Sequence, residues 1–324
     1  MSNINWYPGH MAKSFRDIEK NLRHIEIVMI LLDARIPLSS MNPEILRRVK
    51  HKPVLILFNK ADLADVKVLK EWETYYRNEG YYTLLIDATS TNSLNQIYPL
   101  VKNVILKDQV ERLERQGRLL TPFKTMILGI PNVGKSTLIN NLSVKSGAKV
   151  ENRPGVTRHS QWYRLSDNFE LLDTPGVLWP KFDKKTGYHL AITGAIRDDI
   201  LPLDDVVIYA IKYLLEKYRD QFVSRYNLTQ LDSPVSILDE IGRNYGALLK
   251  GNEIDYERVY QIILKDIRDN RLGGVCFESP WWSNKIISSS ITSCWNWWSR
   301  AGATGRTSCR SCSNFRCECK LKDC

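Results

Sequence analysis

Gly129-Ile130-Pro131-Asn132-Val133-Gly134-Lys135-Ser136 fits the spacing G-x-x-x-x-G-K-[ST]. That spacing does phosphate chemistry. Glycines let the backbone bend until its N–H groups face an anion, and the N-terminus of the following helix adds positive potential. Lys135 is placed to reach the β- and γ-phosphates of a nucleotide, and the Ser136 hydroxyl to bind Mg²⁺. Asn132, Val133, Gly134 and Thr137 complete the expected contacts of the loop. A chance glycine loop is the competing reading. The buried-strand pattern Thr125-Met126-Ile127-Leu128 before the motif and the helix-like Thr137–Leu142 after it weigh against chance.

Asn59-Lys60-Ala61-Asp62 carries base-specific chemistry. A carboxylate at Asp62 accepts from guanine N1–H and the exocyclic 2-amino group together. Adenine has an unprotonated N1 and no 2-amino group, so it would leave the carboxylate unpaired, which is how a polar site rejects the wrong substrate. An ATP-driven enzyme is disfavoured on that ground. Lys60 is expected along the base plane, and Asn59 is expected to tie this loop to the phosphate loop. In Asp87-Ala88-Thr89-Ser90, the Ala88 N–H is a candidate donor to the base O6, although a plain strand-to-helix turn fits these residues equally well. Beyond the phosphate loop, Thr157 in Arg153-Pro154-Gly155-Val156-Thr157-Arg158 offers Mg²⁺ a hydroxyl when a γ-phosphate is present. Asp173-Thr174-Pro175-Gly176 offers an Mg²⁺ carboxylate in Asp173 and a γ-phosphate-sensing N–H in Gly176.

The apolar runs Ile25–Leu32 and Val54–Phe58 read as buried parallel strands, Tyr82–Ile86 as a third strand, and 161–165 with 169–172 as a hairpin. Helices are expected at 43–50, 66–79, 94–115, 203–218, 235–248 and 255–269, with Ser233 and Pro234 as a start signal. The motif order is base loops first, phosphate loop second, switch segments last. The fold class is therefore α/β: a circularly permuted P-loop GTPase (G) domain with a C-terminal all-helical domain. The expected boundaries are 1–184 for the G domain, with a base-recognition half at 25–100 and a phosphate and switch half at 122–180. A small helical domain is expected at 185–275.

The net charge of +10 and pI near 9.2 favour an anionic partner such as nucleic acid, although a solvated face is the default reading of basic residues interleaved with acids. No run of about 18 apolar residues is present, and no signal-peptide pattern precedes Trp6, so a cytoplasmic protein without a membrane span is expected. All seven cysteines lie between Cys276 and Cys324, and five of the nine tryptophans between Trp281 and Trp298. The first 275 residues thus look cytosolic, and the Cys/Trp-rich stretch 276–324 looks foreign to them. Cys309-x-x-Cys312 followed by Cys317-x-Cys319 invites zinc, but the second spacing is short and no strand-and-turn framework surrounds it. A frameshifted or otherwise non-native, disordered end accounts better for the abrupt change of composition.

Trp6-Tyr7-Pro8-Gly9-His10-Met11-Ala12-Lys13, Asp33-Ala34-Arg35-Ile36-Pro37, the permuted motif order and the helical C-terminal half together resemble the circularly permuted ribosome-assembly GTPases of the RbgA/YlqF type, over about residues 1–275. The resemblance implies a cytoplasmic, K⁺-stimulated GTPase that hydrolyses GTP with Mg²⁺. It implies action late in assembly of the large (50S) ribosomal subunit, with the precursor particle as activator and rRNA contacted by the helical domain. DNA and membrane are not expected as partners, and the free protein is expected to be monomeric. Many GTPases carry a water-orienting glutamine after the D-x-x-G glycine; here the position is Val177. The resemblance assigns the water to His10, otherwise a solvated or capping histidine, and a K⁺ ion beside the phosphates to Asn132. The stretch ahead of Ile25 is too short for the OB-fold carried by some small-subunit assembly GTPases. A nucleotide-gated RNA-binding module, or a GTPase of another step of translation or of small-subunit assembly, is the alternative.

Overall fold

The computed structural model describes residues 4–5, 10–145, 161–166, 169–179 and 181–280. In chain order the strands are β1 (Ile4–Asn5), β2 (Ile27–Asp33), β3 (Val54–Asn59), β4 (Tyr82–Leu85), β5 (Phe123–Gly129), β6 (Gln161–Ser166), β7 (Phe169–Asp173) and β8 (Lys181–Phe182). The helices are α1 (His10–Leu22), α2 (Pro43–Val49), α3 (Val66–Asn78), α4 (Thr91–Leu94), α5 (Ile97–Leu100), α6 (Lys107–Arg115), α7 (Lys135–Lys145), α8 (Lys184–Ile192), α9 (Leu203–Lys217), α10 (Arg219–Tyr226), α11 (Pro234–Asn244) and α12 (Tyr256–Arg268).

β2 and β3 are buried at every position, as a strand must be when helices cover both faces of a parallel sheet. Six strands form one sheet in the order β4-β3-β2-β5-β7-β6, parallel except for the β6–β7 hairpin. Alternation sends Met29, Leu31, Leu55, Leu57 and Ile127 to one face, and Val28, Ile30, Ile56, Phe58, Met126 and Leu128 to the other. The second face is covered by Ile18 of α1, Ile45 of α2 and Trp72 of α3. The first continues without a break into Leu138 of α7, then into Val207, Ile211, Ile263 and Phe277. Residues 185–275 therefore share one core with the sheet, each buried Leu or Ile contributing roughly 1.5–3 kcal/mol. Strands β2, β3 and β4 all precede the phosphate-loop strand β5 in the chain yet complete its sheet, so the domain is circularly permuted.

Three features differ from the sequence expectation. The helix expected over 94–115 is broken into α5, a wide π-helical turn at Val101–Ile105 and α6. In that turn the bond from Leu106 N to the Val101 carbonyl (2.8 Å) spans five residues instead of the usual four. A two-residue ribbon, β1 antiparallel to β8, pairs Ile4 with Phe182, and α8 is buried from Gly187 to Ile192, which leaves no amphipathic stripe to read. Finally, Cys276, Phe277 and Glu278 are buried in the folded unit, which runs to Pro280, so the tail does not begin at Cys276. The second unit, Trp281–Cys324, with its zinc-like cysteines, lies outside the described residues.

Candidate guanine-nucleotide site

β5 ends at Gly129, and α7 starts at Lys135, so the phosphate loop spans the turn between strand and helix. Gly134 has φ +101°, and a Cβ there would collide with Asn59 Nδ2. Only glycine meets both demands. Lys135 is buried and donates from Nζ to the carbonyls of Gly129 (3.0 Å) and Ile130 (2.7 Å). Burial pulls its pKa down to about 8, partly offset by the Asp173 carboxylate. Ser136 and Thr137 are exposed on the first turn of α7, and Val133 is buried beneath the loop. Asn132 has φ +56° and donates from Nδ2 to the Gly194 carbonyl (3.0 Å) beyond α8.

β3 delivers the base loop. Asn59 is buried and bridges both neighbours: Nδ2 donates to the Val133 carbonyl of the phosphate loop (2.8 Å), while Oδ1 accepts the Ala88 N–H (2.8 Å). The Ala88 N–H thereby ties its own turn to Asn59. Asn141 Nδ2 in α7 holds the Ala88 carbonyl (2.7 Å) in turn. Lys60, at φ +60°, reaches the Asn132 carbonyl (3.3 Å) and pairs with Asp33 Oδ2 (2.9 Å). Asp62 is exposed on the next turn; burial raises its pKa, Asp87 adds to the rise, and Arg35 counters it.

The third loop leaves β7 at Asp173, which is paired in register with Ile127 of β5 and so stands beside the phosphate loop. Thr174 Oγ1 donates to the Ile127 carbonyl (2.8 Å). A Cβ on Gly176 would lie 2.8 Å from Pro131 N, so the switch glycine rests directly on the phosphate loop. Val177 is buried; its N–H donates to the Gly129 carbonyl (3.2 Å), and its carbonyl accepts from Asn42 Nδ2 (2.9 Å). The exposed Ser136 hydroxyl and the buried Asp173 carboxylate are hard oxygen donors of the kind Mg²⁺ takes. Thr157 lies outside the described residues. His10 opens α1, and its side chain is likewise outside them.

Motif reading missed what holds the base loop. Asp33 and Arg35 form a buried ion pair through two bonds, Nε to Oδ1 (2.9 Å) and Nη2 to Oδ2 (2.7 Å), and Lys60 shares the carboxylate. Burial works against an ionised Asp33, but Arg35 and then Lys60 outweigh it and hold the carboxyl far below the usual range. Arg35 Nη2 also donates to the Thr193 carbonyl (3.3 Å), and the Arg35 carbonyl accepts Phe277 N–H (2.8 Å). The available signal was the run Asp33–Pro37 at the end of a buried strand, where charge has no reason to stand without a partner.

Known proteins match both halves of this description. The model of a 50S ribosome-binding GTPase matches residues 124–238. Ribosome biogenesis GTPase A of Bacillus licheniformis is 45% identical over 279 residues, covering 86% of this chain and 98% of that protein. Its counterpart in Bacillus pumilus is 44% identical, covering 86% and 99%. Among solved structures, the GDP-bound structure of TM YlqF superposes with a TM-score of 0.59 at 24% identity, covering 82% of this chain and 99% of that one.

Proposed function

Since this chain belongs to the ribosome biogenesis GTPase A family, we propose that it acts in the cytoplasm on a precursor of the large ribosomal subunit, as a GTP switch that the particle itself accelerates. The observation that carries the guanine reading is the bridge of Asn59, which locks the loop of Asp62 to the phosphate loop at Val133. One nucleotide can then be read at its base by Asp62, with Lys60 beside it, and gripped at its phosphates by Lys135 and the N–H groups from Asn132 to Thr137. Mg²⁺ would be held by Ser136, Asp173 and Thr157, and it neutralises charge on the β- and γ-oxygens when bound.

Val177 brings no polar group to the attacking water, so the water needs another partner. His10 is our candidate. Its support is topological: β1, just ahead of His10, pairs with β8, just after the Gly176 segment, which ties the N-terminus to the switch. Asn132 is the proposed ligand of K⁺, which would stabilise charge developing between the β- and γ-phosphates. Residues 185–275, together with the basic balance of the chain, are proposed to contact rRNA, with the free protein a monomer.

GTP hydrolysis and co-sedimentation with immature and mature large subunits, at several salt concentrations, test the reading. Faster turnover and salt-sensitive binding on the immature particle are expected. Equal behaviour with small subunits would overturn the large-subunit assignment. His10→Ala should cut particle-stimulated turnover about 100-fold or more with GTP affinity nearly intact. Unchanged stimulated turnover removes His10, and equal rates in Na⁺ and K⁺ remove the ion at Asn132.

A further inference from the structure

The turn that presents Asp62 is not held by the sheet alone. Within itself it has the bonds from Leu63 N to the Lys60 carbonyl (3.0 Å) and from Ala64 N to the Ala61 carbonyl (3.4 Å). Its outward groups are taken by the segment after α12 and by the residue that ends α9. Val275 N donates to the Leu63 carbonyl (3.1 Å), and Tyr218 Oη to Asp65 Oδ2 (3.2 Å). Gly274 comes so close that a Cβ there would stand 2.5 Å from the Ala64 carbonyl oxygen. One side chain of this strap reaches Asp62 itself: Asn270 Nδ2 donates to the Asp62 carbonyl (3.1 Å).

The geometry points to Asn270 as a positioning residue for base recognition, a proposal that rests on Asp62 as the reader of guanine. Asn270 follows α12 in the left-handed region, at φ +59°, a conformation that asparagine tolerates better than other side chains with a donor. Its amide orientation is dictated chemically, because the flipped amide would set Oδ1 against the Asp62 carbonyl oxygen. Kept this way round, Oδ1 is buried and accepts nothing among the described residues. The side chain gives up one acceptor and keeps the donor on Asp62. The strap on either side is fixed by Arg271 N to the Asp266 carbonyl (2.9 Å) and Gly273 N to the Asn270 carbonyl (3.3 Å), so the amide is a fixed post. The Asp62 carbonyl and carboxylate stem from one Cα. Holding the first therefore sets where the second stands when it meets guanine N1–H and the 2-amino group.

The test uses the full chain with Asn270→Gly, which keeps the positive φ and removes only the amide, and Asn270→Asp, which keeps shape and backbone tolerance and loses the donor. GDP and inosine diphosphate, which lacks the 2-amino group, are titrated against each, and GTP turnover is measured. Both variants should bind GDP about threefold to tenfold more weakly, with the loss falling on KM rather than kcat. The GDP-over-IDP preference should shrink, because the 2-amino contact is the one displaced. A structural role alone would lower the melting temperature and leave that preference as it was, and this result would overturn the proposal. Asp62→Asn is the control. If it keeps the guanine preference, the reading of Asp62 fails and the proposal with it; if only the Asn270 variants keep it, the proposal alone fails.

Discussion

The phosphate loop and the base loop serve one nucleotide but are built on different principles. The phosphate loop takes its shape from its own residues: Lys135 folds onto the carbonyls of its own turn and Gly134 supplies the bend, while Asn59, Val177 and Gly194 bond to it from outside. The base loop is held from far along the chain, by Asp33 from an adjacent strand and by Asn270 and Val275 from the segment after α12. A loop that meets an oxyanion can offer backbone N–H groups alone, which any sequence with the right bends supplies. A loop that must tell one base from another needs a carboxylate at a fixed place, and a fixed place needs a frame. The permutation makes that frame available: the chain that leaves the Gly176 segment passes through α8 to α12 and returns to the base loop at 270–278.

The comparison breaks hardest at Asp62. Asp62→Asn exchanges an acceptor pair for a group that also donates, so guanine loses its match and xanthine, with a carbonyl in place of the 2-amino group, gains one. GDP affinity should fall on the order of 10⁴-fold, the scale at which unpaired polar groups reject a substrate, while xanthosine diphosphate gains; parallel titrations of the two check it. Equal loss for both nucleotides would place base selection elsewhere.

Next in size is the frame. Asp33→Asn leaves Arg35, almost fully buried, without its counter-charge, at a cost of about 3–5 kcal/mol. Denaturant unfolding should register this, with guanine affinity falling alongside. Gly134→Ala is the matching change in the other loop. It drives a methyl into Asn59 and should weaken nucleotide binding by about 100-fold, through about 1–3 kcal/mol of strain plus the lost tie to Val133. Its effect on unfolding should be the smaller of the two, because the loop is not part of the buried frame. A larger stability loss for Gly134→Ala than for Asp33→Asn would reverse the comparison.

The same contrast explains what could be read in the sequence. The phosphate loop, the strands that deliver the loops and the permuted order follow from runs of a few residues, because buried parallel strands and a glycine turn are local facts. Asn59 as a bridge followed from its motif as well. The contacts of Asp33, Asn270 and Glu278 join residues far apart in sequence, and no period or spacing marks them. Glu278 shows the limit well. It accepts the N–H groups of Leu38 (2.7 Å) and Ser39 (3.0 Å), pairs with His189 (2.8 Å) and is buried, yet composition placed it in a foreign tail. Burial opposes its charge, but His189 and Ser39 keep its pKa low, so the carboxylate fastens the end of the folded unit to the loop after β2. Ala88 is a related case: the donor in its N–H was visible in the sequence, its bond to Asn59 was not.

The smallest expected effect separates the two loops by pH. Without nucleotide, Lys135 has a pKa of about 8 against 10.5 for an ordinary lysine, because burial disfavours its charge. Between those values the unfolded chain binds more protons than the folded one, so the Lys135 contribution to stability rises with pH across that window. Bound phosphates favour the charged ammonium, so binding above pH 8 must take up a proton, and affinity should fall by at most about tenfold per pH unit. Calorimetry of GDP binding in buffers of different ionisation enthalpy would show uptake approaching one proton at pH 9. Asp62 has the opposite sign: its pKa is raised, first by burial, so it protonates earlier than a free aspartate as pH falls, and guanine binding weakens on the acid side. Affinity against pH should therefore have two limbs, the acid one owned by the base loop and the alkaline one by the phosphate loop. Asp62→Asn should erase the first and leave the second, and Lys135→Arg, charged throughout, should do the reverse. If Asp62→Asn removes both limbs, the two loops do not act as separate units and the contrast between them fails.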